Sequence, residues 1–288
     1  MVYECMKYTE VFNEIASAIL PIFQHYRKNL RELNIEFKSD CTILTRADTE
    51  IQDIIVDIIK RFDAGARLIA EEKSVKNTTS LDGFVWVIDP IDGTKPFATS
   101  TSTEYCCAIC VLRGGFPFAA MIFMPEVGVG NKPLLAVATH EPNLIMLNNT
   151  PYDQFANHGE FRFASTTREK ESIPSALEKY LVSKGVQVKT HTTSQSIDLL
   201  RTAIDISTYT EETMNRFCLF YRENQKIWDG APGMCFNIIA GNHVVDLSGQ
   251  KILPFSDQIL CMDEPISTSV LVSPPSALGE TTFGMERK

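Results

Sequence analysis

The sequence predicts an α/β protein in which α+β and α/β organisation are combined in layers of helix and sheet. Three observations predict it. Two early segments repeat apolar residues at helical spacing, short apolar runs with hairpin punctuation follow, and the second half alternates strand-like with helix-like segments.

The first predicted helix covers residues 9–30, where Phe12, Ile15, Ile19 and Phe23 recur on one face. In the second, Ile51, Ile54, Ile55, Ile58, Ile59 and Phe62 form a stripe that stops near Gly65. Two apolar runs then end in acids: RLIA before Glu71-Glu72, and FVWVI before Asp89. YCCAICVL and FPFAAMIFM are separated by Arg113-Gly114-Gly115, which signals a hairpin, and LLAVAT and LIML add strands. The polar stretch from Asn148 to Glu160 divides the chain into an N-terminal α+β half, residues 1–150, and a C-terminal α/β half, residues 151–288. Beyond it come FRFA, a helix opening at Ser172 and Pro174 and closing at Gly185, and the strand VQVKT. A helix from about Ser194 follows, then the strands ISTY and CLFY. Asp229 opens a further helix closed by Gly241-Asn242, and HVVDL and SVLVS complete the set.

Composition narrows the function. The 288 residues are 44% hydrophobic and 22% charged, enough for a substantial core. No apolar run approaches the roughly 20 residues of a membrane-spanning helix. The N-terminus scatters acids among its apolar residues, unlike a secretory leader, so a cytoplasmic location and no membrane partner are expected. Eight cysteines lie mostly in apolar runs, as buried free thiols do. Cys107 and Cys110 are three apart on a predicted strand, where they point to opposite faces and do not pinch a metal. Five histidines without an HxxxH or HExxH pattern argue against a zinc hydrolase. A net charge of −9 with no basic run argues against a nucleic-acid polymer as partner. An anionic small molecule stays compatible with that charge if bound divalent cations reverse the local field.

The strongest local signal is WVIDPIDGTKPF, residues 86–97. Asp89 and Asp92 flank Pro90, predicted to turn the chain directly after a strand and bring both carboxylates and the Ile91 carbonyl to one side. Such oxygens suit Mg²⁺. Gly93 and Thr94 then begin a helix whose free N–H groups would face an anion. Each feature also has a plainer explanation. DxxDG can be a polar turn with a capping acid, Glu71-Glu72 a solvated strand end, Asp229 in IWDGAPG a helix cap, and Asp48 an acid complementing a helix dipole.

Glu71-Glu72, DPIDGT at 89–94 and WDGAPG at 228–233, in this order, resemble the inositol monophosphatase superfamily of lithium-sensitive, Mg²⁺-dependent phosphatases. The likeness runs from Lys38 and Thr45–Asp48 to the closing SVLVS. It implies a layered α-β-α-β-α sandwich of the inositol monophosphatase/fructose-1,6-bisphosphatase type, two or three Mg²⁺ ions with Mn²⁺ able to substitute, and commonly a homodimer. By position it implies that Glu71, Asp89 and the Ile91 carbonyl hold one metal, and that Asp89, Asp92 and Asp229 hold a second. Thr94, paired with Asp48, would orient the attacking water, and Gly93 and Thr94 would donate N–H groups to the phosphate.

Lys95 in DGTK, TSQS at 193–196 and QKIWD at 225–229 resemble the 3′(2′),5′-bisphosphate nucleotidases most. Lys95, Arg168 and Ser194 are the expected substrate contacts on that branch. Several positions depart from it. Ile197 stands where a substrate-facing lysine is usual, Asp205-Ile206-Ser207 replaces a small stretch, and STTR at 165–168 is a distant echo of the branch's segment. Pro232 replaces an alanine, a change tolerable within a first helical turn. Arg222 replaces the acid that inositol phosphatases carry seven residues before Asp229. A bisphosphate nucleotidase is the first reading. An inositol, sugar or histidinol phosphate phosphatase is the alternative, and a non-catalytic regulatory member of the fold is the third.

Overall fold

A computed structural model describes residues 2–38, 43–72, 83–99, 102–153, 162–166, 175–191, 193–262 and 270–274. In chain order the elements are α1 (Val2–Lys28), β1 (Glu36–Phe37), β2 (Ile43–Leu44), α2 (Arg46–Phe62), β3 (Arg67–Ala70), β4 (Phe84–Asp92), α3 (Thr94–Ala98), β5 (Cys106–Arg113), β6 (Phe116–Gly128), β7 (Lys132–Thr139), β8 (Leu144–Leu147) and β9 (Thr150–Pro151). They continue with β10 (Phe163–Thr166), α4 (Ala176–Ser183), β11 (Gln187–Lys189), α5 (Gln195–Ala203), β12 (Leu219–Arg222), α6 (Ile227–Ile239), β13 (His243–Val245), α7 (Asp257–Met262) and β14 (Val270–Ser273).

Side-chain alternation sorts these elements into layers. The seven-stranded sheet has the order β3-β4-β5-β6-β7-β8-β9 and is antiparallel except for the parallel pair β3/β4. On β5, Cys107, Ile109 and Val111 pack with the stripe of α1 (Phe12, Ile15, Ile19, Phe23) and of α2 (Ile51, Ile55, Ile59). Cys106, Ala108, Cys110 and Leu112 face the other way, onto Leu199 and Leu200 of α5 and Ala231, Met234 and Cys235 of α6. The five-stranded sheet, β11-β10-β12-β14-β13, lies beyond those two helices. Its Phe220, Val270 and Val272 join their core, while Leu219, Tyr221 and Leu271 turn outward onto Leu177 and Leu181 of α4. The resulting order is helix, sheet, helix, sheet, helix, as the resemblance implied.

The predicted CxxC is thus split between two cores, as strand geometry requires. Several elements differ from the sequence reading. The segment ISTY forms no strand, because Asp205 accepts the Ser207 amide at 2.9 Å and the Tyr209 amide bonds to the Ile206 carbonyl at 2.9 Å. Turns close on themselves there before a ladder can form. The fourth helix starts at Ala176, capped by Ser175, whose Oγ accepts the Glu178 amide at 3.1 Å; Ser172 and Pro174 lie outside the described residues. Helix α6 begins at Ile227, so Pro232 is its sixth residue, past the first turn, and the Trp228 carbonyl forgoes its usual donor. No helix among the described residues is long and apolar enough to cross a membrane.

Candidate functional site

The site forms where β3 and β4 end beside the first turns of α2, α3, α5 and α6. The parallel pairing of Ala70 with Ile88, extended by the Glu71 amide to the Ile88 carbonyl at 3.2 Å, sets Glu71 next to Asp89. Rather than turning at Pro90, β4 continues to Asp92 through a bulge, with Asp89 opposite Ala108 and Asp92 opposite Cys106. Proline has no N–H for the ladder, and a bulge absorbs the loss while re-aiming the side chains around it. Gly93 then caps α3 at φ 91°, and a Cβ there would come 2.8 Å from the Thr193 carbonyl oxygen, so both backbone conformation and space demand glycine.

One carboxylate oxygen each from Asp89, Asp92 and Asp229 lies within 4.8 Å of the others. Asp89 is 1% exposed, and its Oδ1 has no hydrogen-bond partner among the described residues. Burial, reinforced by Glu71, Asp92 and Asp229, pushes its pKa well above the usual carboxylate range. Burial followed by Asp92 and Glu71 pushes Asp229 up to about 8, with Arg222 acting in the opposite sense. Burial also raises Asp92, against the bonds it accepts from Ser196, Ser194 and Gln195. Clustered acids that resist ionisation, one with an unsatisfied oxygen, are what a hard divalent cation stabilises. The donor set therefore fits Mg²⁺.

The supports of these acids differ. Asp92 is held by the start of α5: Ser194 Oγ and the Ser196 amide donate to Oδ2 at 2.9 and 2.6 Å, and the Gln195 amide to Oδ1 at 3.2 Å. Asp229 sits in the first turn of α6, which packs so closely on α5 that a Cβ on Gly233 would lie 2.2 Å from Leu199 Cβ. On the opposite side, Lys38 Nζ donates to Glu71 Oε1 and Glu72 Oε1, both at 2.7 Å. Burial opposes the Lys38 ammonium, but the two glutamates hold its pKa above the ordinary lysine value. Burial and neighbouring Glu71 lift Glu72 to about 8.

Thr94 and Asp48 meet as expected. Thr94 Oγ1 donates to the Ile91 carbonyl at 3.1 Å and lies 3.4 Å from Asp48 Oδ1. Asp48 is fully buried, and its Oδ2 accepts from the Thr45 amide and hydroxyl at 2.8 and 2.5 Å. Burial raises its pKa to about 7 despite those bonds, with Glu71 adding to the rise.

A model of the inositol monophosphatase family matches residues 5–276. The chain belongs to that family. This inositol monophosphatase family member is a phosphatase, a hydrolase of phosphoric monoesters. A Thermotoga maritima protein described as fructose-1,6-bisphosphatase/inositol-1-monophosphatase is 28% identical over 236 residues, 79% of this chain and 80% of its own. A 3′(2′),5′-bisphosphate nucleotidase of Shigella flexneri is 22% identical over 244 residues, 77% of this chain and 83% of its own. The solved Thermotoga maritima IMPase structure shares the fold, with a TM-score of 0.71 at 19% identity over 94% of this chain and 93% of that one.

On the substrate side of the phosphatase the expected residues have different surroundings. Ser194 is 1% exposed, with its hydroxyl committed to Asp92 and to the Ile197 amide, so it braces an acid instead of facing an open surface. Ile197 is fully buried in the core. Ser165 is buried, donating to Asp198 at 2.8 Å. Lys95 is exposed at α3, and Arg168 lies outside the described residues. Sequence reasoning missed the Lys38 bridge, the Ser196 amide and the Gln195 side chain, which donates to Asp229 at 2.8 Å. The resemblance passes through Lys38 and TSQS without assigning these bonds, and nothing local in the sequence marks them, since they span 33 or more residues.

Proposed function

We propose that the protein hydrolyses a small soluble phosphate monoester with Mg²⁺, and that Glu71, Asp89, Asp92, Asp229 and the Ile91 carbonyl hold the ions. The observation that carries this reading is the Asp89–Asp92–Asp229 cluster with its unsatisfied, buried Asp89 oxygen. Bound divalent cations supply positive charge to the phosphoryl oxygens and acidify the attacking water. Thr94, with Asp48 behind it, orients that water. Gly93 and Thr94 turn their amides to the phosphate from the start of α3. The labour divides at the boundary read from the sequence: residues 1–150 supply the nucleophile site and three acids, and residues 151–288 supply Asp229 and the α5 turn that braces Asp92.

For the substrate, the reading remains a 3′(2′),5′-bisphosphate nucleotide. Its support is positive charge beside the acids: Arg222 acts on Asp229, and Lys95 stands exposed one residue beyond Thr94. Both suit a second anionic group better than a neutral polyol. A singly phosphorylated inositol or sugar is the second reading, favoured by the Thermotoga maritima relative. Phosphate release with Mg²⁺ from adenosine 3′,5′-bisphosphate and from inositol 1-phosphate decides between them. Preference for the bisphosphate is expected. Efficient hydrolysis of the inositol ester with little action on the bisphosphate would reject it, and no phosphate release from any ester of a broad panel would reject the enzymatic reading of this site.

A further inference from the structure

Two buried glutamines stand in series behind Asp229. Gln195, the first residue of α5, is 8% exposed, and its Nε2 donates to Asp229 Oδ2 at 2.8 Å. An ionised carboxylate only accepts, so the amide nitrogen must face it and Gln195 Oε1 must point away. That oxygen accepts from Gln225 Nε2 at 3.1 Å, and Gln225 is fully buried. Gln225 therefore supports the orientation of the Gln195 amide that the carboxylate selects. The chain has made room for this pair. A Cβ on Gly230, the residue after Asp229, would lie 2.8 Å from Gln225 Oε1 and 2.9 Å from its Cδ, so glycine at 230 leaves the second amide its volume. Ser196 Oγ adds a contact to the Asp229 carbonyl at 3.3 Å.

We propose that Gln195 and Gln225 form an amide relay that aims Asp229 at the Asp89–Asp92 pair, making both of them positioning residues for the cation site. The relay occupies Oδ2 and leaves Oδ1 for an ion. Because an amide is neutral, it orients the carboxylate without cancelling the charge that a cation needs, which a lysine or arginine in the same place would do. The same turn of α5 orients Asp92 through backbone N–H groups, so one structural element aligns two acids from different halves of the chain. This inference rests on the reading of Asp229 as a metal ligand.

The test is titration of the full-length, metal-stripped chain with Mn²⁺ alone, read by calorimetry. Gln225→Met, which keeps the volume and removes the donor, is expected to weaken Mn²⁺ binding about 10-fold. Gln195→Ala should weaken it at least as much. The double variant should match Gln195→Ala, because Gln225 acts through Gln195. Most of the activity lost by Gln225→Met should return at saturating Mg²⁺, whereas general loosening of the fold would depress turnover at any concentration. If Gln225→Met does not fold, Gln225→Leu also removes the donor without adding charge and carries the same expectation. Unchanged Mn²⁺ affinity in the Gln225 variant, additive losses in the double variant, or a raised KM with unaltered Mn²⁺ binding would overturn the relay. Asp229→Asn separates the two levels: if it leaves Mn²⁺ binding intact, the ligand reading fails, and if it weakens binding while the glutamine variants do not, the relay alone fails.

Discussion

The two flanks of the acid cluster are held in opposite ways. On the α5–α6 flank, Asp92 and Asp229 accept from amides and a hydroxyl, all neutral. On the β3 flank, Glu71 and Glu72 share one ammonium, Lys38. Neutral donors fix geometry and leave the charge in place. A lysine cancels charge and must yield at least part of its grip when another cation arrives. One flank is therefore pre-aligned, and the other is pre-neutralised.

Asp89 joins the two flanks, so changing it should produce the largest effect. Asp89→Asn should fold and lower turnover by at least roughly 10²–10³-fold, about 3–4 kcal/mol of transition-state stabilisation. A folded variant with more than about half of wild-type turnover would remove Asp89 from the site. Next come the residues that belong to neither flank. Thr94→Ala and Asp48→Asn should lower kcat by about 10- to 100-fold with KM nearly unchanged, because they act on the attacking water rather than on the bound ester. A change confined to KM would contradict that role.

The β3 flank can be broken by Lys38→Met. Without the ammonium, the metal-free protein should lose about 1–2 kcal/mol in a urea titration, since two neighbouring acids lose their shared donor. The deficit should shrink with Mg²⁺ present; an equal deficit with and without the ion would mean that Lys38 and the cation do not serve the same charges. The smallest effect sharpens the contrast through pH. The unfolded chain releases its carboxylate protons near pH 4, whereas burial holds Asp48 to about 7 and Asp229 and Glu72 to about 8. The folded metal-free form thus binds more protons between those values, and this contribution to stability, complete below about pH 4, is lost as pH rises through 7 and 8. Mg²⁺ binds the deprotonated acids, so the gap in melting temperature with and without the ion should widen from pH 5 to pH 8. A constant gap would show that these groups do not titrate against the ion.

Much of this was legible in the sequence because local rules and tertiary packing agreed. Ile51, Ile55, Ile58 and Ile59 of the α2 stripe are buried as their spacing predicts, and the acids of DPIDGT stand where a strand ends. The failures lie where a local competitor or a distant partner decided. Asp205 diverted ISTY into turns, and the bulge at Pro90 took the place of the expected turn. Ser194, an expected substrate contact on the nucleotidase-like branch, bonds to Asp92, 102 residues away, a partner that its sequence neighbours do not signal. Gln195 stood within the TSQS segment of the resemblance, but nothing near it in the sequence pointed to Asp229, since an amide at a helix start commonly faces water.

That span has a consequence for the order of events as the chain acquires its structure. The bonds from Asp92 to Ser194 and Ser196 cross 102 and 104 residues, so the cluster is complete only once the β4 end and the α5 turn have met. A cation that needs both has nothing complete to bind before that meeting. Mg²⁺ is therefore expected to stabilise the finished molecule mainly by slowing its unfolding; in stopped-flow denaturant jumps, a folding rate raised as much as the unfolding rate is lowered would contradict that.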